Sequence, residues 1–202
     1  MRKIRYFIIG GSGVYQMPGI KFKRRLKITT PYGDPSDEIL IGEFEGVEIT
    51  FLARHGPDHS ISPPKIPSAA NIWALKSNGA RYGFGTTACG SLRENIIPGK
   101  HFVVPDQLFD RTWGRETYSF FSEGICAHLS APDPFCSEMR KIIIQATNSG
   151  SRREVVDAAK YVIIQGPRFS TRVESEFFQN NGFDIVGETS IPEVFLAAEA
   201  RL

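Results

Sequence analysis

The stretch FIIGGSGVY, residues 7 to 15, constrains this chain most. Phe7, Ile8 and Ile9 read as a buried strand, and it runs without a break into Gly10, Gly11, Ser12 and Gly13. A strand that ends in closely spaced glycines presents backbone N–H groups at its carboxyl end, which is how a dinucleotide-binding unit holds a pyrophosphate. The spacing does not fit that unit. After Gly11 and Gly13 the third glycine would fall where Gln16 stands, and Met17-Pro18-Gly19 breaks the helix that should follow. A triphosphate-binding loop is excluded by the missing Gly-Lys-Ser/Thr ending. Two readings stay open for these residues: a cup for one small anion, built from amides and the Ser12 hydroxyl, or a plain strand-to-loop turn that needs positive φ.

The rest of the chain alternates strands with helices. Strands are predicted over Ile4–Ile9, Phe22–Ile28, Glu38–Glu43, Val47–Leu52, Tyr82–Thr87, His101–Val104, Gly124–Leu129, Lys160–Gln165 and Asp184–Gly187. Helical apolar spacing marks Ile66–Asn78, Pro134–Asn148, Thr171–Asn180 and Pro192–Leu202. This mixture implies an α/β fold with a central sheet covered on both faces and ligands at the strands' carboxyl ends. With 41% hydrophobic residues in a chain of 202 and no repeat or linker, one domain over residues 1–202 is expected. A net charge of +2 gives no basic stripe, and the run KFKRRLK (Lys21–Lys27) alternates as an exposed strand does, so nucleic acid is not expected as a partner. No apolar run reaches membrane-spanning length and the N-terminus lacks the pattern of a signal peptide, so a cytoplasmic protein without membrane contact is expected. Cys89, Cys126 and Cys136 are odd in number and form no C-x-x-C pair, which points to reduced, mostly buried thiols and to no zinc site.

Four strand exits share a chemistry. Val47–Leu52 emerges at Arg54-His55-Gly56, with His59 close behind, a pairing that suits phosphate as well as it suits a surface arginine beside a backbone-bonded histidine. Tyr82–Thr87 runs into Ala88-Cys89-Gly90-Ser91, a stretch of hydroxyls and amides. Lys160–Gln165 ends in Gly166-Pro167-Arg168-Phe169-Ser170-Thr171, where Phe169 can stack on a planar base or pack in a core. The last strand leaves at Gly187-Glu188-Thr189-Ser190. Gly, Ser, Thr and Arg at all four exits fit one oxyanion pocket better than four separate turns.

The segments IIGGSGVY, TPYGDPSD, ARHGPDHSISP, ANIWALKSNG, TTACGSLRENIIPG, VVPDQLFDRT, DPFC, QGPRFSTRVES and ETSIPEVFLAAEA, in this order and spacing, resemble the trimeric purine nucleoside phosphorylase family, in the branch that cleaves 5'-methylthioadenosine. The resemblance implies a three-layer α/β/α sandwich around a central mixed, partly closed β-sheet. It implies phosphorolysis: phosphate attacks the anomeric carbon of 5'-methylthioadenosine, giving adenine and 5-methylthioribose 1-phosphate, a step of methionine and purine salvage. Carried over residue by residue, the phosphate site falls on Ser12, Arg54, His55, Thr87, Ala88 through its amide, and Thr189. The purine is placed against Phe169 and near Ser170, and His128 matches a histidine lent to a neighbouring subunit's 5'-methylthio pocket. Inorganic phosphate is then a co-substrate, no metal or organic cofactor is needed, and a homo-oligomer is implied, a trimer or a dimer of trimers.

Several positions depart from the family. Glu188 stands where the family has methionine beneath the ribose; its carboxylate can accept from ribose hydroxyls but repels a nearby phosphate dianion. Pro67-Ser68 replaces Asn-Tyr, and Gln165 replaces a glutamate. Family chains continue past the equivalent of Leu202 through a further strand and a covering helix that carry the base-reading and N7-protonating aspartates, so no catalytic acid is assigned here. The departures leave two alternatives beside the main expectation: a 6-oxopurine nucleoside or methylthioinosine phosphorylase, and a non-catalytic relative that binds phosphate or nucleoside.

Overall fold

The computed structural model describes residues 5–11, 13, 17–115, 117–121 and 124–202. The chain divides into two compact units, the first comprising residues 1–87, 114–129 and 192–202, the second residues 88–113 and 130–191.

The first unit is built on a five-stranded mixed sheet. Its strands β1 (Arg5–Gly10), β2 (Lys21–Leu26), β3 (Ile39–Phe44), β4 (Val47–Ala53) and β5 (Ala80–Gly85) lie in the order β2-β3-β4-β1-β5. β1 is enclosed by two parallel neighbours, with Ile9 opposite Leu52 on β4 and Gly85 on β5. A strand in that position is buried on both faces, which is why its sequence is a continuous apolar run and not an alternation. Phe7 and Ile9 join Ile39, Ile41 and Leu52 in one core with Ile72 and Leu75 of helix α1 (Ser68–Ser77) and Leu196 of helix α4 (Glu193–Glu199). Ile8 points the other way, onto Leu40 and Phe51. β2 is an edge strand, exposed along nearly its whole length, and its lysines and arginines discourage edge-to-edge pairing with another copy.

The second unit holds β6 (Gly90–Ser91), β7 (His101–Arg111), β8 (Glu154–Ile164) and β9 (Ile185–Gly187) in the order β6-β9-β8-β7, with helices α2 (Ser137–Gly150) and α3 (Arg172–Asn180). Its core gathers Leu92, Val162 and Phe178, with Ile164, Phe183 and Val186 packed around them.

The expected α/β class and mixed strand directions are what the chain adopts, but the strands hydrogen-bond as two open sheets and not as one partly closed sheet. Residues 86–89, which lead from β5 to β6, belong to neither sheet. The strand predicted over Gly124–Leu129 is absent: the residues alternate suitably, yet they find no partner strand among the described residues, and Ile125 is exposed. β7 and β8 are longer than predicted. Pro105 reads as a strand end because it lacks an N–H, but β7 is an edge, where proline is tolerated, and a bulge at Ala158 on β8 (φ 59°) lets the pairing continue past it. The three cysteines are free as expected, but exposed and not buried, because each sits on a loop or at the start of a helix. Among the described residues no helix is long and apolar enough to cross a membrane.

Gly83 allows β5 to lie against β1: a Cβ at this position would run into the carbonyl oxygen and ring of Phe7. Because the obstacle includes backbone, Gly83→Ala is expected to lower the stability of the chain by about 1–3 kcal/mol, measured by urea unfolding, with a loss within error of zero ruling out this packing.

Candidate functional site

The exit of β4 places Arg54 inside the first unit with only 2% of its surface exposed. Its guanidinium forms a two-pronged ion pair with Glu193 at the start of α4: Nε donates to Oε2 at 2.7 Å and Nη2 to Oε1 at 2.9 Å. Nη1 donates to the carbonyl of Thr86 at 2.9 Å, just beyond β5, and Nη2 reaches the carbonyl of Ile9 on β1 at 3.4 Å. The backbone repeats these ties, since Arg54 N donates to Gly10 O at 2.7 Å and Thr86 N to Ile9 O at 2.8 Å. One side chain thus joins the carboxyl ends of β1, β4 and β5. Gly85 makes room for the ion pair, because a Cβ there would lie 2.9 Å from Glu193 Oε1 and 3.1 Å from Arg54 Nη2.

His55 follows directly and is also buried. Its Nδ1 lies 2.7 Å from the carbonyl of Ile61, which assigns the ring proton to Nδ1 and leaves Nε2 as an acceptor. The ring stacks on His59 with centroids 4.3 Å apart, and His59 itself sits in the left-handed region at φ 54°. Burial pushes the His55 pKa below its ordinary value of 6.5; the neighbouring His59 and Arg54 add to the shift, while the bond to Ile61 and the charge of Glu193 oppose it. His55 is therefore neutral near pH 7.

Of the residues singled out from the sequence, Arg54 and His55 are brought together at the β4 exit, and Thr87 lies two residues past β5, next to the Thr86 carbonyl that Arg54 binds. Ser12 falls outside the described residues. His128 is exposed, with its Nε2 3.8 Å from Cys126 Sγ.

The remaining candidates belong to the second unit. Thr189, just past β9, is buried, and Ala88, before β6, is exposed. Glu188 packs its carboxylate on Gly166 at the exit of β8: a Cβ on Gly166, which has φ 67°, would lie 2.6 Å from Oε2. Phe169 is 84% exposed, so its ring face is open to a planar partner. Ser170 Oγ is 2.8 Å from Ser175 Oγ. These two residues are held by the start of α3, where Thr171 and Glu174 cap each other: Thr171 N donates to Glu174 Oε2 at 2.6 Å and Glu174 N to Thr171 Oγ1 at 3.2 Å. Arg168 adds a bidentate pair to the same carboxylate at 2.8 Å and 2.8 Å. The Arg168 guanidinium, with the Thr171 N–H, holds the Glu174 pKa down at about 2. Beside this turn opens a cleft of about 380 Å³ lined by Trp113, Gln165, Arg168, Val173 and Phe177. Gln165 accepts from Trp113 N at 2.9 Å, a bond that a glutamate would also accept.

Sequence reasoning missed Glu193 and Gly85. The only signal for Glu193 was a carboxylate on the apolar face of a short helix, three residues before the fully buried Leu196.

A histidine whose pKa is depressed in the folded state takes up a proton more readily when unfolded, so the unfolded chain binds more protons below pH 6.5 and stability falls as pH drops through that value. His55→Asn is expected to flatten this part of the curve of unfolding free energy between about pH 7 and 5. An unchanged slope in the variant would show that His55 titrates as a solvated group.

Comparisons with known proteins show which family the chain belongs to. Residues 5–202 match the model of the phosphorylase superfamily. The S-methyl-5'-thioadenosine phosphorylase of Hyperthermus butylicus is 48% identical over 196 residues, covering 96% of this chain and 70% of that protein. The S-methyl-5'-thioadenosine phosphorylase of Chloroflexus aurantiacus is 43% identical over 195 residues, covering 96% of this chain and 67% of that protein. Among solved structures, the methylthioadenosine phosphorylase of Schistosoma mansoni in complex with adenine superposes with a TM-score of 0.90 at 39% identity, covering 98% of this chain and 78% of the other. With a match along nearly its whole length and identities of this size, the chain belongs to the phosphorylase superfamily, in the group formed by the S-methyl-5'-thioadenosine phosphorylases.

Proposed function

We propose that this chain is a pentosyltransferase that catalyses the phosphorolysis of 5'-methylthioadenosine to adenine and 5-methylthioribose 1-phosphate. The observation that carries the reading is the identity of 48% and 43% with two S-methyl-5'-thioadenosine phosphorylases over 96% of the chain. The adenine held by the Schistosoma mansoni relative supports a purine as the base.

In this reading inorganic phosphate is the nucleophile. A bond forms between a phosphate oxygen and the anomeric carbon while the bond from that carbon to N9 breaks, and its electron pair leaves with the purine. The departing base takes a proton at N7 from a general acid, a role to which no residue is assigned. Positive charge develops on the ribose in the transition state, so an anion held close to it lowers the barrier. Arg54, His55 and Thr87 are the candidate anchors for that anion in the first unit, with Ser12, Ala88 and Thr189 completing the set that the family resemblance implies. Because His55 is neutral, its Nε2 accepts a hydrogen bond from a hydroxyl, on phosphate or on ribose. Phe169 is assigned to the purine face, Ser170 to its edge, His128 to the 5'-methylthio group of a neighbouring protomer's substrate, and Glu188 to the ribose hydroxyls. The reading includes a cytoplasmic homo-oligomer, a trimer or a dimer of trimers, serving purine and methionine salvage without metal or organic cofactor.

The test is purine release by the purified chain from 5'-methylthioadenosine, methylthioinosine and inosine, each with and without phosphate. Phosphate-dependent release of adenine, faster than hypoxanthine release from either 6-oxopurine substrate, is the expected result. Faster release of hypoxanthine would reassign the base, and no release from any of the three would leave a binding protein in place of an enzyme.

A further inference from the structure

We infer that Glu193 is the positioning residue of the phosphate site: through its two-pronged bond it locks the Arg54 guanidinium onto the ends of β1 and β5, and anion affinity depends on that lock. The inference rests on the proposed phosphate site and adds a residue to it.

Four of the five guanidinium N–H bonds are directed at Glu193, Thr86 O and Ile9 O. A flexible cation at the β4 exit could turn toward an arriving anion. Arg54 cannot do so freely, because the planar fork of Glu193 fixes the plane of the guanidinium, and the pair fills the space that the missing side chain of Gly85 leaves to it. The fixed orientation has a consequence for the backbone. In a trans peptide the C=O and the following N–H point in opposite directions, so an Arg54 that holds the Thr86 carbonyl turns the Thr87 N–H away from itself. Thr87 carries an amide and a hydroxyl and is the residue of this exit that the family resemblance assigns to the anion. Glu193 also offsets most of the Arg54 charge. The orientation of the donors, including the guanidinium itself, therefore carries more of the affinity for the anion than net charge does. Without the carboxylate, the guanidinium would lose two of its bonds and its fixed plane, its hold on the Thr86 carbonyl would loosen, and the anion donors would lose part of their fixed geometry.

The experiment is calorimetric titration of the full chain with inorganic phosphate and, separately, with 5'-methylthioadenosine, for the parent, Glu193→Gln and Glu193→Asp. Thermal melting is recorded in parallel. Glutamine keeps the size and removes the charge; aspartate keeps the charge and shortens the reach, so either variant breaks the two-pronged geometry. Weakening of phosphate by about tenfold or more in Glu193→Gln, with nucleoside affinity within about twofold of the parent, is the expected result, since loss of a charged buried bond has that size. Glu193→Asp is expected to weaken phosphate as well and remains informative if the glutamine variant does not fold. Parent-like phosphate affinity in a folded variant overturns the inference and leaves the phosphate site standing. Equal loss of both ligands in step with the melting temperature overturns it too, by reducing Glu193 to a structural role. A parent chain that binds no phosphate overturns the site and the inference together.

Discussion

The buried ion pair between Arg54 and Glu193 is the interaction on which the first unit's arrangement depends. Taking two charges out of water is costly, and such a pair is stable only when its geometry is good and its remaining donors are satisfied. Both conditions are met: two nitrogens bind the carboxylate, and two further N–H groups donate to the carbonyls of Thr86 and Ile9. The pair therefore does more than close a gap in the core. It links three strand ends to the first turn of α4, and breaking such a pair from one side costs about 3–5 kcal/mol. An apolar substitute could fill the volume but could not hold two backbone carbonyls in place.

The chemistry follows from where the strands end. β1 can lie between two parallel strands only because it is apolar on both faces, and parallel neighbours send their carboxyl ends out on one side. Gly10, Arg54 and Thr86 consequently leave the sheet of the first unit together, with His55 beside them. In the second unit the exits of β8 and β9 meet in the same way, where the Glu188 carboxylate lies on Gly166. The capped start of α3 presents Phe169 to solvent, with Arg168 and Thr171 both fastened to Glu174. In the first unit, a neutral imidazole beside a charge-compensated guanidinium suits the anion of the proposed reaction, which must be bound and then released as part of a product.

Much of this was legible in the sequence, and the parts that were not share a cause. The run Phe7–Ile9 could only be an enclosed strand, and Arg54-His55 stood visibly at a strand exit. Local pattern carries that information. The partner of Arg54 did not show, because Glu193 is 139 residues away and a carboxylate on a short helix ordinarily faces water. Gly85 was one glycine among many until the ion pair gave it a neighbour. Pro105 concealed the length of β7, since proline signals a strand end unless the strand is an edge with a bulge opposite. The failed strand at Gly124–Leu129 makes the same point from the other side: alternation describes one strand, whereas a strand exists only if a second one pairs with it.

The most direct measurement is a titration of the isotopically labelled chain with inorganic phosphate, followed through backbone amide chemical shifts. The account predicts that the largest shifts fall at Gly10, Gly11, His55 and Thr87, with Arg54 Nε moving only slightly because its bond to Glu193 persists. Shifts confined to the basic edge strand Lys21–Leu26, with the strand exits silent, would contradict it by showing that phosphate meets this protein as a screened counterion and not in a built site.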